Sequence, residues 1–396
     1  MPDVQTLRAA LHPALPEDAA RAALAGRVWL PEVEGPAIVT ARGDALVDIS
    51  AHFPTMRDLC ETVDPAAALG AASGKTVGTL RDILENTPPE TRDDKKPWLL
   101  APIDLQAVKA AGVTFAISML ERVIEERARG NADAAAAIRA EVLRIIGDDL
   151  TKLKPGSAEA EALKQVLIRQ GAWSQYLEVG IGPDAEIFTK TAPMAAVGSG
   201  MDGGVHPKSS WNNPEPEIVL AVASDGRIVG ASLGNDINLR DVEGRSALLL
   251  GKAKDNNASC AIGPFLRFFD ARYTLDTVRT TTVSLTVEGE DGFRLEGASS
   301  IAQISRDPAD LVAQMIGPHH QYPDGAVLFL GTMFAPIQDR DAPGAGFTHK
   351  SGDIVTVSAP GLGRLVNRVR PTDQCEPWRF GTGALMRNLA RRGLLG

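Results

Sequence analysis

The stretch that decides the fold is WNNPEPEIVLAVASDGRIVGASLGNDINLRDVEGRSALLLGKAKD, residues 211–255. Asp225-Gly226 favours a two-residue hairpin turn, because both central residues of such a turn need positive φ. Around that turn, residues whose numbers add to 451 pair across two strands. Side chains two positions apart share one face of a strand, so Glu215 and Glu217 point the same way and Asp236 lies opposite Glu215. We therefore expect three carboxylates to converge.

Three converging carboxylates predict a metal site. Carboxylates about 4 Å apart repel by roughly 4 kcal/mol per pair at an effective dielectric near 20, and a divalent cation removes that cost. The cluster offers only oxygen ligands, which favours Mg²⁺, with Mn²⁺ and Ca²⁺ as alternatives, over Zn²⁺. A Glu-x-Glu pair on a strand is also common on a solvated face. The partner Asp236 across the hairpin is what favours a site.

Several motifs together make this sequence familiar. They are Glu215-Pro216-Glu217, Asn235-Asp236, Arg240-Asp241, Ala253-Lys254, Gly352-Asp353-Ile354-Val355 and Gly361-Leu362-Gly363. In combination they resemble the fumarylacetoacetate hydrolase family, in scattered blocks over roughly residues 101–370. The resemblance implies a metal-dependent enzyme that acts on a small 2-oxo acid, and a homodimer or homotetramer.

Composition and charge limit the classes of partner. Hydrophobic residues make up 44% and charged residues 23% of the 396 positions, as in ordinary globular proteins. The net charge of −9 argues against nucleic acid or an anionic membrane as partner. The three cysteines are widely spaced and form no CxxC motif, and the N-terminal stretch has no apolar signal-peptide core. We expect a cytoplasmic enzyme with no membrane segment.

The polar segment PPETRDDKK, residues 88–96, is the clearest boundary in the chain. It predicts a small N-terminal domain over 1–96 and a catalytic domain over 97–396. A helical insertion is expected at about 120–175, amid short, mostly antiparallel strands. The predicted fold class is α+β and β-rich, with a rolled, mixed β-sheet core. The resemblance identifies this core as the fumarylacetoacetate hydrolase fold.

The start of the second domain bears on the reaction. The family's hydrolases carry a Gly-x-Asn-Tyr-x-x-His-x-x-Glu pattern whose His and Glu activate water. Gly112 and Glu121 match its ends here, but Ser118 replaces the His. Serine is no base near neutral pH without a neighbour that activates it, so hydrolysis is disfavoured. Ser118 is interpreted either as the N-cap of the helix that follows or as a substrate contact.

Further blocks resemble the branch that dehydrates 2-keto-3-deoxy sugar acids. The 29-residue gap from Glu186 to Glu215 and the 18-residue gap from Asp236 to Lys254 are similar to that branch. The resemblance assigns Glu186 and Lys254 as the acid and base pair, in either order, and Thr332 as a substrate contact. Lys252 competes with Lys254 for the base role.

The reaction implied is a hydro-lyase step of non-phosphorylative pentose catabolism. It converts 2-keto-3-deoxy-D-pentonate (2-dehydro-3-deoxy-D-arabinonate or xylonate) to 2,5-dioxopentanoate. We expect burial to raise the pKa of Glu186 and, with the nearby cation, to lower that of Lys254. Arg240 is expected to give structural support. The alternatives are a C–C hydrolase or decarboxylase of a diketo or 2-oxo acid such as an acylpyruvate, and a non-catalytic member of the family.

Overall fold

The computed structural model describes residues 4–129, 153–169, 171, 173–334, 336, 338–342 and 346–395. Its strands are β1 (Leu24–Leu30), β2 (Gly35–Arg42), β3 (Ala45–Asp48), β4 (Lys75–Thr79), β5 (Trp98–Leu100), β6 (Ala107–Gly112), β7 (Glu186–Thr191), β8 (Asp202–Val205), β9 (Asn212–Asn213), β10 (Pro216–Val222), β11 (Ile228–Asp236), β12 (Asn238–Leu239), β13 (Cys260–Phe268), β14 (Thr282–Glu288), β15 (Arg294–Ser300), β16 (Ala326–Phe329), β17 (Ile354–Ala359) and β18 (Gly363–Pro371).

The α-helices are shorter and lie between groups of strands. They are α1 (Val4–Ala10), α2 (Met56–Cys60), α3 (Pro65–Ala71), α4 (Leu80–Glu85), α5 (Ala116–Ala128), α6 (Ala158–Arg169), α7 (Gln175–Ile181), α8 (Arg240–Glu243), α9 (Leu250–Lys254), α10 (Leu275–Arg279), α11 (Pro308–Met315) and α12 (Thr382–Arg391). None of the helices in the described ranges is long and apolar enough to cross a membrane.

The strands form two large mixed sheets, which confirms the α+β, β-rich class. The first sheet has the order β4-β3-β2-β1-β13-β11-β10-β16-β6-β7, with β5 paired to β1. The second has the order β15-β14-β17-β18-β8. Most neighbours are antiparallel, while β16 with β6 and β18 with β8 are parallel. The small pair β9 and β12 stands apart from both sheets.

Strand β10 lies between two hydrophobic cores, because its apolar run alternates between them. Ile218 and Leu220 belong to the core shared with the second sheet, and Val219 and Ala221 belong to the core beneath α2 and α3. All four are fully buried. Burial of each large aliphatic side chain contributes about 1.5–3 kcal/mol, so a slip of one residue would be costly. The apolar run therefore fixes the position of the carboxylates at its amino end.

The β10–β11 hairpin keeps the predicted register but not the predicted turn. Pro216 pairs with Asn235, and the same register runs to Ala221 and Gly230. Of the dipeptide Asp225-Gly226, only Gly226 has a positive φ, 89°. The connection is thus longer than two residues, and a register shift after Ala221 absorbs the difference. The expectation of a two-residue turn was wrong, because Asp225 stays in the ordinary negative-φ region.

The predicted N-terminal domain continues the first sheet rather than forming a sheet of its own. Leu24 and Ala25 of β1 pair with Arg267 and Leu266 of β13. A shared sheet does not decide whether residues 1–96 fold independently. The division into 1–96 and 97–396 therefore stays a prediction.

Helices α5, α6 and α7 lie within the predicted helical insertion or at its edges, and they pack on one another. Their shared core includes Ile124, Leu167 and Leu177. Residues 130–152, 170 and 172 of that insertion, including the apolar stripe expected near 138–146, lie outside the described residues. Ser118 is not an N-cap, because α5 already begins at Ala116. Its hydroxyl donates to the carbonyl of Phe115 at 2.9 Å within the first turn.

Candidate active site

The hairpin brings the three predicted carboxylates together. Opposite Glu215, the amide of Asp236 donates to the Glu215 carbonyl at 3.0 Å, which continues the predicted register beyond the strand ends. Carboxylate oxygens of Glu215, Glu217 and Asp236 lie within 4.8 Å of one another. All three side chains are buried, with residue exposures of 5%, 2% and 2%. The converging geometry predicted from the hairpin is present.

Two buried lysines contact this cluster from one side. The Lys254 ammonium donates to Glu215 Oε2 and, at 2.9 Å, to Asp236 Oδ2. Lys190 Nζ lies 2.7 Å from Asp236 Oδ1. Burial alone would raise the pKa of the Asp236 carboxyl, but Lys190 and Lys254 hold it below its usual value. Asp236 is therefore an ionised anchor for both ammonium groups.

The position of Lys254 differs from the sequence expectation. Lys254 ends helix α9 instead of a strand, so Lys252, two residues away, points elsewhere and is exposed. Burial acts to lower the pKa of the Lys254 ammonium, yet Asp236 and Glu215 raise it above the usual value. The lowered pKa was expected for the site with its cation bound, and it stays a prediction for that state. A cation bound to Asp236 and Glu215 would neutralise the negative charge that raises the pKa of Lys254.

Glu217 lacks such a compensating partner. The backbone N–H of Gly331 donates to its Oε2 at 2.6 Å. No lysine or arginine of the described residues forms an ion pair with it. Burial raises the pKa of the Glu217 carboxyl well above its usual value, and the carboxylates of Asp236 and Glu215 raise it further. In the absence of a cation, burial and the neighbouring carboxylates favour the protonated form of Glu217.

Glu186 reaches the same pocket from β7 because its neighbour on β6 has no side chain. Gly112 pairs with Glu186 across the two strands, and a Cβ at Gly112 would lie 2.1 Å from Glu186 Oε2. Burial raises the pKa of the Glu186 carboxyl, although the charges of Arg122 and Lys254 oppose the shift. This upward shift of the Glu186 pKa is the one expected from the sequence. The glycine at 112 thus leaves the room that this carboxylate occupies.

Helix α5 supplies the opposite wall. Arg122 donates from Nη2 to Glu215 Oε1 at 2.6 Å, and its Nη1 lies 2.9 Å from Glu243 Oε2. Arg240 Nη2 lies 3.2 Å from Glu121 Oε2, and its guanidinium stacks on the Trp211 ring at 4.3 Å. These contacts agree with the supporting role expected for Arg240. They also tie α5 to the chain segment that carries the metal-site carboxylates.

All residues predicted for the site line one pocket. It contains Ser118, Glu186, Glu215, Glu217, Asp236, Arg240, Lys254 and Thr332. Sequence reasoning missed three further polar lining residues: Asn213, Arg122 and Glu243. Arg122 lies one helical turn from Ser118, and Asn213 lies two residues before Glu215, so helical and strand periodicity could have found them. The individual roles of all these residues stay predictions.

The charges and donors of the pocket fit a divalent metal ion. Six carboxylates line it, and four cationic groups line it or contact it: Glu121, Glu186, Glu215, Glu217, Asp236 and Glu243 against Arg122, Arg240, Lys254 and Lys190. Among these ten groups the carboxylates outnumber the cationic groups by two. The ligand atoms are hard carboxylate oxygens, the type that Mg²⁺ prefers. Glu215, Glu217 and Asp236 are the residues that would hold the ion.

Comparison with known proteins shows what this part of the chain is similar to. Residues 212–370 match the model of the fumarylacetoacetate (FAA) hydrolase C-terminal family. The chain is 30% identical over 194 residues to a probable 2-keto-3-deoxyxylonate dehydratase of Haloferax volcanii, covering 49% of this chain and 63% of that protein. It is 30% identical over 188 residues to the 2-dehydro-3-deoxy-D-arabinonate dehydratase of Saccharolobus solfataricus, covering 47% and 58%. The matches thus span less than two thirds of either relative.

Solved structures share the fold over most of the chain. A 2-keto-3-deoxy-D-arabinonate dehydratase complexed with magnesium and 2,5-dioxopentanoate superposes with a TM-score of 0.60 at 19% identity, covering 88% of this chain and 99% of that one. A hexagonal crystal form of 2-keto-3-deoxyarabinonate dehydratase gives 0.61 at 20% identity, with the same coverage. These structures, at 19–20% identity, are similar to the chain in fold.

Proposed function

We propose that this protein is a Mg²⁺-dependent hydro-lyase that converts 2-keto-3-deoxy-D-pentonate to 2,5-dioxopentanoate. The observation that carries the proposal is the buried cluster of Glu215, Glu217 and Asp236 in one pocket with Lys254 and Glu186. The names of the two relatives and the magnesium complex of a protein with the same fold support it. A cytoplasmic location stays a prediction from the sequence, and a homodimer or homotetramer stays a prediction from the resemblance.

The reaction requires a metal, a base and an acid in one enclosed site. A bound Mg²⁺ would supply Lewis-acid polarisation of the substrate's C1 carboxylate and C2 ketone, which acidifies the protons on C3. One proton leaves C3, the hydroxyl leaves C4 as water, and the product tautomerises to the aldehyde at C5. The chain provides two proton-transfer groups that lie in this pocket, the Lys254 amine and the Glu186 carboxyl.

Lys254 and Glu186 are arranged to move a proton in either direction. The Lys254 ammonium is held on Glu215 and Asp236, so its position is fixed by two buried hydrogen bonds. Glu186 has a raised pKa, which makes it a better acid and base near neutral pH than an exposed glutamate. In one arrangement Lys254 removes the C3 proton and Glu186 protonates the leaving hydroxyl. The roles are exchanged in the other.

A water-activating base at the hydrolase position has no support in this chain. The Ser118 hydroxyl donates to the Phe115 carbonyl in the first turn of α5. The glutamate of the same pattern, Glu121, lies 3.2 Å from the Arg240 guanidinium. The pocket therefore favours elimination over hydrolysis.

The test is a turnover assay of the purified protein with 2-keto-3-deoxy-D-pentonate and Mg²⁺. Formation of 2,5-dioxopentanoate is followed through a coupled semialdehyde dehydrogenase, with EDTA-treated protein as the control. We expect product only with the metal. Release of pyruvate, or cleavage of an acylpyruvate in place of dehydration, would establish the hydrolase alternative. A protein that binds metal but turns over neither class of substrate would refute the proposal.

A further inference from the structure

An asparagine lies in the pocket wall next to the carboxylates. Asn213 on β9 pairs with the buried Asn238 on β12, two residues further in the register that sets Glu215 opposite Asp236. Asn213 lies two residues before Glu215 and lines the same pocket as the three carboxylates. The wall of the pocket beside the carboxylates therefore includes a side-chain amide.

These amides are buried without full hydrogen bonding. Asn213 is 3% exposed and Asn238 fully buried. The Oδ1 atom of Asn213 and both side-chain amide atoms of Asn238 have no hydrogen-bond partner among the described protein atoms. Most buried polar side-chain atoms have a partner, and leaving one unpaired is costly. Of the two, Asn213 lines the pocket, so its unpaired side-chain oxygen points to a polar ligand there.

The direction of the Asn213 amide identifies the type of group that it recognises. Its Nδ2 donates to the carbonyl of Pro214 at 2.9 Å. A flipped amide would set two carbonyl oxygens against each other, so this contact fixes Oδ1 as the free end. An amide oxygen only accepts hydrogen bonds. The matching group on a ligand is therefore a donor such as a hydroxyl.

We infer that Asn213 is a specificity-determining residue, whose side-chain oxygen accepts a hydrogen bond from the terminal hydroxyl of a hydroxylated 2-oxo acid. The inference rests on the proposed function, since it takes the oxo-acid end to lie at the carboxylate cluster. Extended chain spans roughly 6.6–6.8 Å over the two residues that separate Asn213 from Glu215. The four bonds from C2 to the C5 oxygen of a five-carbon acid, each of about 1.5 Å, extend over roughly 5 Å. The C4 hydroxyl is not the group that Asn213 binds, because it leaves as water and needs a proton donor, whereas an amide oxygen only accepts hydrogen bonds.

The test compares two ligands that cannot undergo the reaction. Both 2-oxopentanoate and 5-hydroxy-2-oxopentanoate lack the C4 hydroxyl, and they differ only at C5. Their affinities are measured by calorimetry with Mg²⁺ for wild type, Asn213→Val and Asn213→Thr. We expect wild type to prefer the hydroxylated acid by roughly 5- to 30-fold. The preference should fall to near unity in Asn213→Val and persist in part in Asn213→Thr, whose hydroxyl oxygen still accepts.

Any other outcome overturns either the Asn213 subsite or the proposed function together with it. A wild type that binds both acids equally, or an Asn213→Val variant that keeps the preference, overturns the subsite alone. Equal weakening of both acids in Asn213→Val shows a structural role and overturns it as well. A wild type that binds neither acid overturns the proposed function together with the subsite. Metal affinity, titrated without oxo acid, should be the same in all three proteins.

Discussion

Replacing Glu217 by glutamine should stabilise the metal-free protein and abolish metal binding. Glu217 is 2% exposed, and its carboxylate oxygen lies within 4.8 Å of those of Glu215 and Asp236. At that separation each pair of carboxylates repels by about 3.5 kcal/mol at an effective dielectric near 20. The glutamine can still accept the hydrogen bond from the Gly331 amide. The substitution therefore removes repulsion, and it adds an amide N–H group close to the Glu215 and Asp236 carboxylates, which can accept hydrogen bonds from it.

The expected gain is smaller than the full repulsion. Lys254 offsets part of it, and protonation of Glu217 relieves part of the rest. We expect the free energy of unfolding of the metal-free protein to rise by about 1–3 kcal/mol at pH 8. Asp236→Asn is the matched control, since Asp236 anchors both Lys190 and Lys254. Breaking those buried pairs should lower the free energy of unfolding by about 3–5 kcal/mol.

The assay is unfolding by denaturant, with and without Mg²⁺. In wild type, Mg²⁺ at 100 times its dissociation constant should add about 2.7 kcal/mol to the free energy of unfolding. Neither Glu217→Gln nor Asp236→Asn should respond to Mg²⁺. A Glu217→Gln protein that is destabilised without metal, or that Mg²⁺ still stabilises as in wild type, would refute the view of Glu217 as an uncompensated metal ligand.

Three other predictions concern the same pocket. Lys254→Met should retain Mg²⁺ binding by calorimetry and lose roughly 10²- to 10⁴-fold in kcat, and near-normal turnover would exclude its proton-transfer role. Gly112→Ala should fold normally, because its Cβ meets only the flexible end of Glu186, but it should lower kcat with metal affinity unchanged; a wild-type kcat would contradict the assigned position of Glu186. The free energy of unfolding of Glu217→Gln should exceed that of metal-free wild type by an amount that grows as pH rises above about 4.5. The raised pKa of Glu217 in the folded state means that wild type is most stable when Glu217 is protonated, below its unfolded-state pKa. Wild type then loses that stability as pH rises, whereas the glutamine variant does not. Denaturation curves over pH 4–8 that keep a constant difference would contradict it.

Local patterns in the sequence determined the hairpin and its carboxylates. The apolar run of β10 and the alternation of strand side chains fix which face Glu215 and Glu217 share. The register followed from a turn about ten residues along the chain from Glu215 and from Asp236. The turn itself was misjudged, because Asp225 does not adopt the positive φ that a two-residue turn requires. The register survived, since a shift after Ala221 compensates for the longer connection.

Motif resemblance also pointed to Glu186 and Lys254, but it could not give the protonation state of either side chain. The pKa of the Lys254 ammonium depends on the balance between burial and the two carboxylates that it contacts. The expectation for Ser118 as an N-cap was wrong, since α5 begins at Ala116, two residues earlier. A serine with a glutamate three positions on therefore does not by itself mark the start of a helix.

Only the tertiary structure brought together the remaining wall of the pocket. Arg122 contacts Glu215 across 93 residues of chain, and the Gly331 amide reaches Glu217 across 114. A single sequence carries no local signal for such contacts, because they arise where separate strands and helices meet. The sequence thus determined which carboxylates share a face. The fold decided which cations and amides compensate them, since burial and distance set both the charge and the hydrogen bonding of each group.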